Sequence, residues 1–381
     1  MRITDIQTIL LSRMHEPERQ WFTSTWRSIK ADGAVVVIHT DEGLTGIGEA
    51  CAYGGPSHIA SWVDWLKPEL FGRNPTDPAL SPHPNGRSAA HDCAIAGIDC
   101  ALWDLRGQVA GKPTAVLLNP QAHSRVRLYA SAGCKYDWRY RPEQLIEEAL
   151  GFMQQGFTAY KFRIGTHWAW DGVTVDRFLG LVRELAQAVH GGMELMLEGN
   201  QRFNEDQALA IAKETERLGF IWFEEPLPMA DIAGYARLGA AVGIPISGGE
   251  SLTTVEQFRP YLEKRAYRIV QPDMGWCGIT EGMRIAEVAH RYGVDLCPHS
   301  WHNGLMGMAN AHLVAALPNP RVLELCMHQG PLTWEMIAQP PAIQDGWLVL
   351  PDRPGLGVEL TVGIGQRYPY IEGNYAISVE R

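Results

Sequence analysis

From Val126 onward, short apolar runs alternate with amphipathic stretches in a regular rhythm. The runs are VRLYASA (126–132), YKFRIG (160–165), ELMLEGN (194–200), IWFEEP (221–226), IPISGG (244–249), RIVQPD (268–273), VDLCPHS (294–300) and VLELCM (322–327). Between them, residues 143–155, 175–188, 205–218 and 281–292 carry apolar positions at helical spacing. The runs lack strict alternation, as expected for strands covered on both faces. Eight strands separated by helices predict a parallel β/α barrel over residues 126–330. An open doubly wound sheet is the competing architecture. No nucleotide fingerprint supports it, because GIGEAC (46–51) lacks the third glycine and opens no helix.

Residues 1–125 read as a separate α+β unit. Residues 1–12 alternate like a strand and 34–40 (AVVVIHT) form a second. The turn Asp41-Glu42-Gly43 leads to a third strand ending near Glu49. A helix is predicted over 89–110, from the spacing of Ile95, Ile98, Ala101, Leu102 and Leu105, with a stop at Gly111-Lys112-Pro113. Residues 331–381 lose the repeat, carry GWLVL and PDRPGLGVEL, and are expected to fold back onto the N-terminal unit.

Composition narrows the class. Apolar residues make up 46% and charged residues 20% of 381, the proportions of a folded protein. A net charge of −10 with no basic run argues against a nucleic-acid partner. No apolar stretch reaches the ~18 residues of a membrane helix, so no membrane association is expected. The opening MRITDIQTILLS shows no signal-peptide pattern. The seven cysteines are scattered, without a C-x-x-C pair, so the expected setting is a reducing cytoplasm.

In a β/α barrel the site forms at the C-terminal strand ends. Read in order, those ends carry Lys161 and Arg163, Glu198, Glu224/Glu225, Glu250, Asp273, His299 and Glu324. Converging carboxylates repel unless something positive lies between them. Glu198, Glu224 and Glu250 are spaced by 26 residues and again by 26, about one βα unit, which predicts one level on neighbouring strands. Their all-oxygen donor set favours Mg²⁺, with Mn²⁺ as the substitute, over zinc. Rim carboxylates paired with Lys or Arg are the plain alternative. Lys161 and Arg163, two apart on one strand, share a face. His299 and Asp273 can form a dyad in which the carboxylate orients the imidazole as a general base.

Taken together, YKFRIG, LEGNQ, WFEEP, GGES, VQPD, CPHSW and PDRPGLGVEL, with GIGEA and ALWDLRGQVAGKP before them, resemble the enolase superfamily and its mandelate racemase subgroup. The resemblance runs over almost the whole chain. It implies a modified TIM barrel of (β/α)7β type with an N-terminal α+β capping domain. It also implies removal of the proton α to a carboxylate, with Mg²⁺ stabilising the enediolate. By similarity, Glu198, Glu224 and Glu250 match the metal ligands, and His299–Asp273 the dyad. Glu324 matches the carboxyl group that hydrogen-bonds the enediolate oxygen, and Lys161 and Arg163 the paired cations. Glu198 stands where many relatives have Asp. Arg163 replaces the second lysine of a Lys-x-Lys pair, and a guanidinium that stays protonated is a poor base.

One clear base suits dehydration of a sugar acid to a 2-keto-3-deoxy acid better than racemisation. A racemase, epimerase or cycloisomerase on the same intermediate is the alternative, and a non-catalytic acid-binding barrel a weaker one. The expected partner is a small-molecule carboxylate, and the resemblance implies a homo-oligomer. Candidate substrate contacts are Asn200, Trp21, Trp26, Tyr53, Trp301, His302 and His328, with Trp168, Trp170 and Trp276 also in or near predicted loops.

Overall fold

The computed structural model describes residues 1–23, 26–52, 55–80, 82–164, 172–301, 303–328 and 330–378. The N-terminal unit contains β1 (Ile3–Met14), β2 (Trp21–Phe22), β3 (Trp26–Ser28), β4 (Lys30–Thr40) and β5 (Thr45–Ala50). β1, β4 and β5 form an antiparallel meander, with Ile9 opposite Val35 and Val36 opposite Gly48. Two helices, α1 (Pro56–Leu70) and α2 (Ala89–Ala110), cover one face. Ile3, Ile6, Val36 and Ile38 from the sheet meet Ile59, Val63, Ile95, Ile98 and Leu102 from the helices in one buried cluster. The Ser88 side chain caps α2 by accepting the His91 N–H, and Gly111 ends it in the left-handed region at φ 63°. The glycines of GIGEA have a packing role. A Cβ at Gly48 would stand 2.2 Å from the carbonyl oxygen of Gly97, and one at Gly46 2.3 Å from that of Ala101. Only bare backbone lets α2 lie this close to β5.

After α3 (Thr114–Leu118) the barrel begins. It runs β6 (Arg125–Ser131), α4 (Gln144–Gln154), β7 (Ala159–Arg163), α5 (Val175–Ala188), β8 (Glu194–Glu198), α6 (Glu205–Arg217), β9 (Trp222–Glu224) and α7 (Ile232–Ala241). It continues with β10 (Ile246–Gly248), α8 (Val255–Glu263), β11 (Ile269–Val270), α9 (Met274–Arg291), β12 (Asp295–Leu296), α10 (Gly304–Ala316) and β13 (Leu323–Cys326). β6 to β12 pair in sequence, all parallel, and β13 returns to pair in parallel with β6. This is a (β/α)7β barrel under an α+β cap. The remaining elements are α11 (Leu332–Glu335), β14 (Ala342–Gln344), β15 (Trp347–Val349), α12 (Ile364–Arg367) and β16 (Ala376–Ser378). The C-terminal segment divides between the two units rather than going to the cap alone. β15 pairs antiparallel with the start of β6, whereas β16 pairs with β3 of the cap.

The strand period of two explains how the barrel positions its polar groups. Tyr129, Ala159, Met196, Trp222, Ile269, Cys297 and Val322 form one buried apolar layer across the barrel. Two residues further along the chain stand Ser131, Lys161, Glu198, Glu224, Gln271, His299 and Glu324, all buried. Parity alone therefore puts these side chains above the apolar plug.

The cap and barrel also meet through His312 in α10. Its Nδ1 accepts the Ala115 N–H at 3.1 Å, and its Nε2 donates to the Leu356 carbonyl at 3.0 Å. Burial pushes this imidazole down to about 4, so the fold holds it neutral. The unfolded chain takes up the proton near 6.5, so between those values it binds more protons and stability falls as pH falls. For this residue the expected loss from pH 7 to pH 5 is about 2 kcal/mol. Urea unfolding at both pH values should show a smaller loss in His312→Gln, whose amide does not titrate. An equal loss in both proteins would assign the acid sensitivity elsewhere.

Candidate active site

Arg163 of β7, Glu198 of β8 and Glu224 of β9 are successive register partners across the parallel ladder. Glu224 is opposite Ser247 of β10, so Glu250 lies three residues beyond that level rather than at it. A turn closed by the Leu252 N–H on the Gly249 carbonyl at 3.0 Å carries Glu250 back toward the others. Ligand oxygens of Glu198, Glu224 and Glu250 come within 4.8 Å of one another.

Lys161, with no exposed surface, points into this group. Its Nζ lies 2.6 Å from Glu224 Oε1, 3.0 Å from Glu324 Oε1 and 3.8 Å from Glu198 Oε2. Burial alone would lower its pKa, but these three carboxylates outweigh burial and hold the ammonium charged. Glu224 Oε2 also accepts from Gln271 Nε2 at 2.7 Å and Trp222 Nε1 at 3.1 Å. Glu198 Oε1 accepts the Asn200 backbone N–H at 2.6 Å, whereas its buried Oε2 has no hydrogen-bond donor among the described residues. Burial and the adjacent Glu224 charge push the Glu198 carboxyl well above the usual range. A divalent cation fits this group: the donors are all oxygen, one buried oxygen lacks a partner, and mutual repulsion needs positive charge.

On the opposite strands, His299 Nδ1 is 2.7 Å from Asp273 Oδ2, leaving Nε2 to face Glu250 Oε2 at 3.6 Å. Asp273 begins α9 as its N-cap, and its Oδ1 accepts the Gly275 N–H at 2.8 Å. Burial lowers the His299 pKa, but Glu250, Glu324 and the Asp273 hydrogen bond raise it to about 10. Glu324 Oε2 accepts the Ser300 N–H at 2.7 Å. Burial raises the Glu324 pKa, yet Lys161 and His299 bring it down to about 2. In this arrangement Glu324 is an acceptor, and it can donate to an enediolate oxygen only after gaining a proton.

Arg163 donates to the Ala132 carbonyl at 3.4 Å, and its guanidinium carbon lies over the Trp301 ring, 3.9 Å from its centroid. Trp301 packs edge-on against Trp21 at 5.3 Å, and Trp21 against Trp26 at 5.0 Å. Trp21 and Trp26 belong to β2 and β3 rather than to loops. His328 is buried beside Trp301, 3.8 Å from Glu148 Oε2. Burial, with Lys135 and Arg163 adding, pushes it down to about 3. Trp276 is part of α9 and packs against the cap core. Tyr53, His302, Trp168 and Trp170 lie outside the described residues.

Two further site residues lie inside the motifs WFEEP and VQPD without a predicted role. Gln271 supports Glu224, and the strand parity that places Ile269 inward would have revealed it. Glu225 is turned to φ 36°, where its buried carboxylate accepts from Gln201 Nε2 at 2.7 Å and the Gly249 N–H at 3.2 Å. Asn200 and Gln201 also have positive φ, at 45° and 62°, so strained backbone clusters at the ends of β8 and β9.

The barrel, its cap and this polar layer define the class. Residues 144–363 match the enolase C-terminal domain-like family. Residues 9–119 match the mandelate racemase/muconate lactonizing enzyme N-terminal domain. The chain belongs to the enolase superfamily, in its mandelate racemase subgroup. The arabinonate dehydratase of Saccharolobus solfataricus is 30% identical, covering 87% of this chain and 89% of its own. The D-galactarolactone cycloisomerase of Agrobacterium fabrum is 29% identical, covering 94% and 97%. The crystal structure of the 3,6-anhydro-D-galactonate cycloisomerase from Zobellia galactanivorans superposes with a TM-score of 0.83 at 30% identity, covering 97% and 99%. The protein is an enzyme whose relatives include lyases and isomerases, and membership implies use of a divalent metal ion. No helix among the described residues is long and apolar enough to cross a membrane.

Proposed function

We propose that the protein removes the proton α to the carboxylate of a sugar acid and then eliminates the β-hydroxyl as water, giving a 2-keto-3-deoxy acid. The carrying observation is the orientation of His299, whose Nδ1 is held by Asp273 while Nε2 faces the carboxylate triad. Glu198, Glu224 and Glu250 would hold the cation. Mg²⁺ is the assignment, because hard oxygen donors with positions open to substrate suit it. When bound, the cation stabilises negative charge developing on the substrate carboxylate.

With the cation bound, the Glu250 charge that helps hold His299 protonated is offset. The neutral Nε2 then takes the α-proton, and the C–H electron pair forms the new double bond. The resulting imidazolium then protonates the departing β-hydroxyl, which leaves as water. The enol product tautomerises to the 2-keto acid. Asp273 keeps Nδ1 protonated and stabilises the imidazolium. Lys161 and Arg163 supply fixed positive charge on the side of β7. Because Arg163 does not deprotonate, it cannot serve as a second base.

Sugar-acid dehydratases among the relatives support this substrate class. Cycloisomerisation is the second reading, since two cycloisomerases match nearly the full chain. A cytoplasmic homo-oligomer is the proposed setting. The test is proton NMR in D₂O with Mg²⁺ and pooled mono- and diacid sugars. Growth of deuterated 3-deoxy-2-keto signals is expected. Exchange of the α-proton without loss of water would replace dehydration with isomerase chemistry.

A further inference from the structure

We propose that the contact between Asp92 of the cap and Thr253 of the barrel positions Glu250, so that cation affinity is set partly by the cap. This inference rests on the ligand assignment just given. Glu198 and Glu224 are strand residues fixed by the ladder, and they are each other's register partners. Glu250 lies beyond β10, and only the Gly249–Leu252 turn brings it to the others.

That turn is tethered at both ends. At its start, Glu225 Oε1 accepts the Gly249 N–H at 3.2 Å. Gly249 has φ 100°, and a Cβ there would meet the Phe258 ring at 2.4 Å, so the turn requires glycine at this position. At its far end, Thr253 Oγ1 donates to Asp92 Oδ2 at 2.6 Å. Gln257 Oε1 is a second acceptor at 3.1 Å, but a hydroxyl has one proton and the shorter contact takes it.

Asp92 is itself buried and held by several hydrogen bonds. It is 1% exposed and accepts from the backbone N–H groups of Asn85 at 3.1 Å and Gly86 at 2.8 Å, and from His91 Nδ1 at 2.8 Å. None of these partners belongs to the barrel. The carboxylate is therefore a cap-borne anchor whose hydrogen bond to the barrel, among the described residues, falls three residues from Glu250.

Thr253→Val removes the hydroxyl while keeping shape, and Thr253→Ser restores it. Electron paramagnetic resonance of free Mn²⁺ during titration of the full chain reads affinity without turnover. The valine variant is expected to bind Mn²⁺ about tenfold more weakly, and the serine variant within about twofold of the parent. Thr253→Ala repeats the test should valine disturb folding. Unchanged affinity in the valine and alanine variants, or equal weakening in serine and valine, overturns the inference. A melting temperature that falls without a change in affinity does so too, because it marks a merely structural strut. Failure of the parent protein to bind Mn²⁺ would instead remove the ligand assignment, and this inference with it.

Discussion

Replacement of His299 by asparagine is expected to lower kcat on the sugar-acid substrate by about 10³- to 10⁴-fold, with Mn²⁺ affinity little changed. General acid–base catalysis is typically worth 10²–10⁴, and in the proposed reaction one imidazole carries both proton transfers. Its Nε2 is 3.6 Å from Glu250 Oε2, near the triad without being part of it, which is why the cation should stay. Asp273→Asn should cost about 10²-fold or more, because an amide presents the wrong partner to Nδ1. Steady-state rates together with solvent-deuterium exchange check both. An asparagine variant that still exchanged the α-proton at the parent's rate would remove His299 as the base and leave Lys161 as the candidate.

Chelation produces the second large effect. Treatment with EDTA should abolish turnover, and Mg²⁺ should restore it. Glu224→Gln should lose about 10³-fold or more, since it removes a ligand and also the closest partner of Lys161, at 2.6 Å. Stability should move the other way at Glu198. Its carboxyl is buried against Glu224 with one oxygen unpartnered, so Glu198→Gln relieves repulsion in the chelated protein. The variant should then melt no lower than the parent, while losing the rise that Mg²⁺ gives the parent, about 2.7 kcal/mol at a hundredfold excess over Kd. Calorimetry with and without Mg²⁺ separates these outcomes. An unimpaired Mg²⁺ response in Glu198→Gln would place the cation elsewhere.

Much of the architecture is legible where local chemistry is unambiguous. Ser88 and Gly111 bracket α2, and Thr174 opens α5 by capping the Arg177 N–H, so both spans follow from the sequence. α10 is hidden because it is buried almost all round, and a helix without a polar face shows no period. The helix predicted over 281–292 is the part of α9 that follows a kink at Gly278, whose φ of 79° is non-helical; the short turn before it, from Met274, is not expected from the sequence. In the site, the equal 26-residue spacing suggests one level for three glutamates. Spacing counts loop and helix residues together, and the short β10 leaves Glu250 to a turn instead. The tryptophans are a comparable case. Their sequence context suggests loops, but Trp21 and Trp26 lie on β2 and β3, a short antiparallel ribbon with Trp21 opposite Ser28.

That ribbon has a consequence for how the protein is made. β3 is bracketed by β2 on one side and β16 on the other, with Ile377 opposite Arg27. Residues from the two extremes of the sequence thus share one small sheet, and its Trp21 and Trp26 form the aromatic wall beside Trp301. During synthesis the barrel can close while β3 still lacks a neighbour, because domains fold as the chain emerges. The small sheet that carries Trp21 and Trp26 is completed only when residues 376–378 have left the ribosome. A nascent or C-terminally trimmed chain would therefore hold an assembled carboxylate cluster while β3 has only one of its two partner strands.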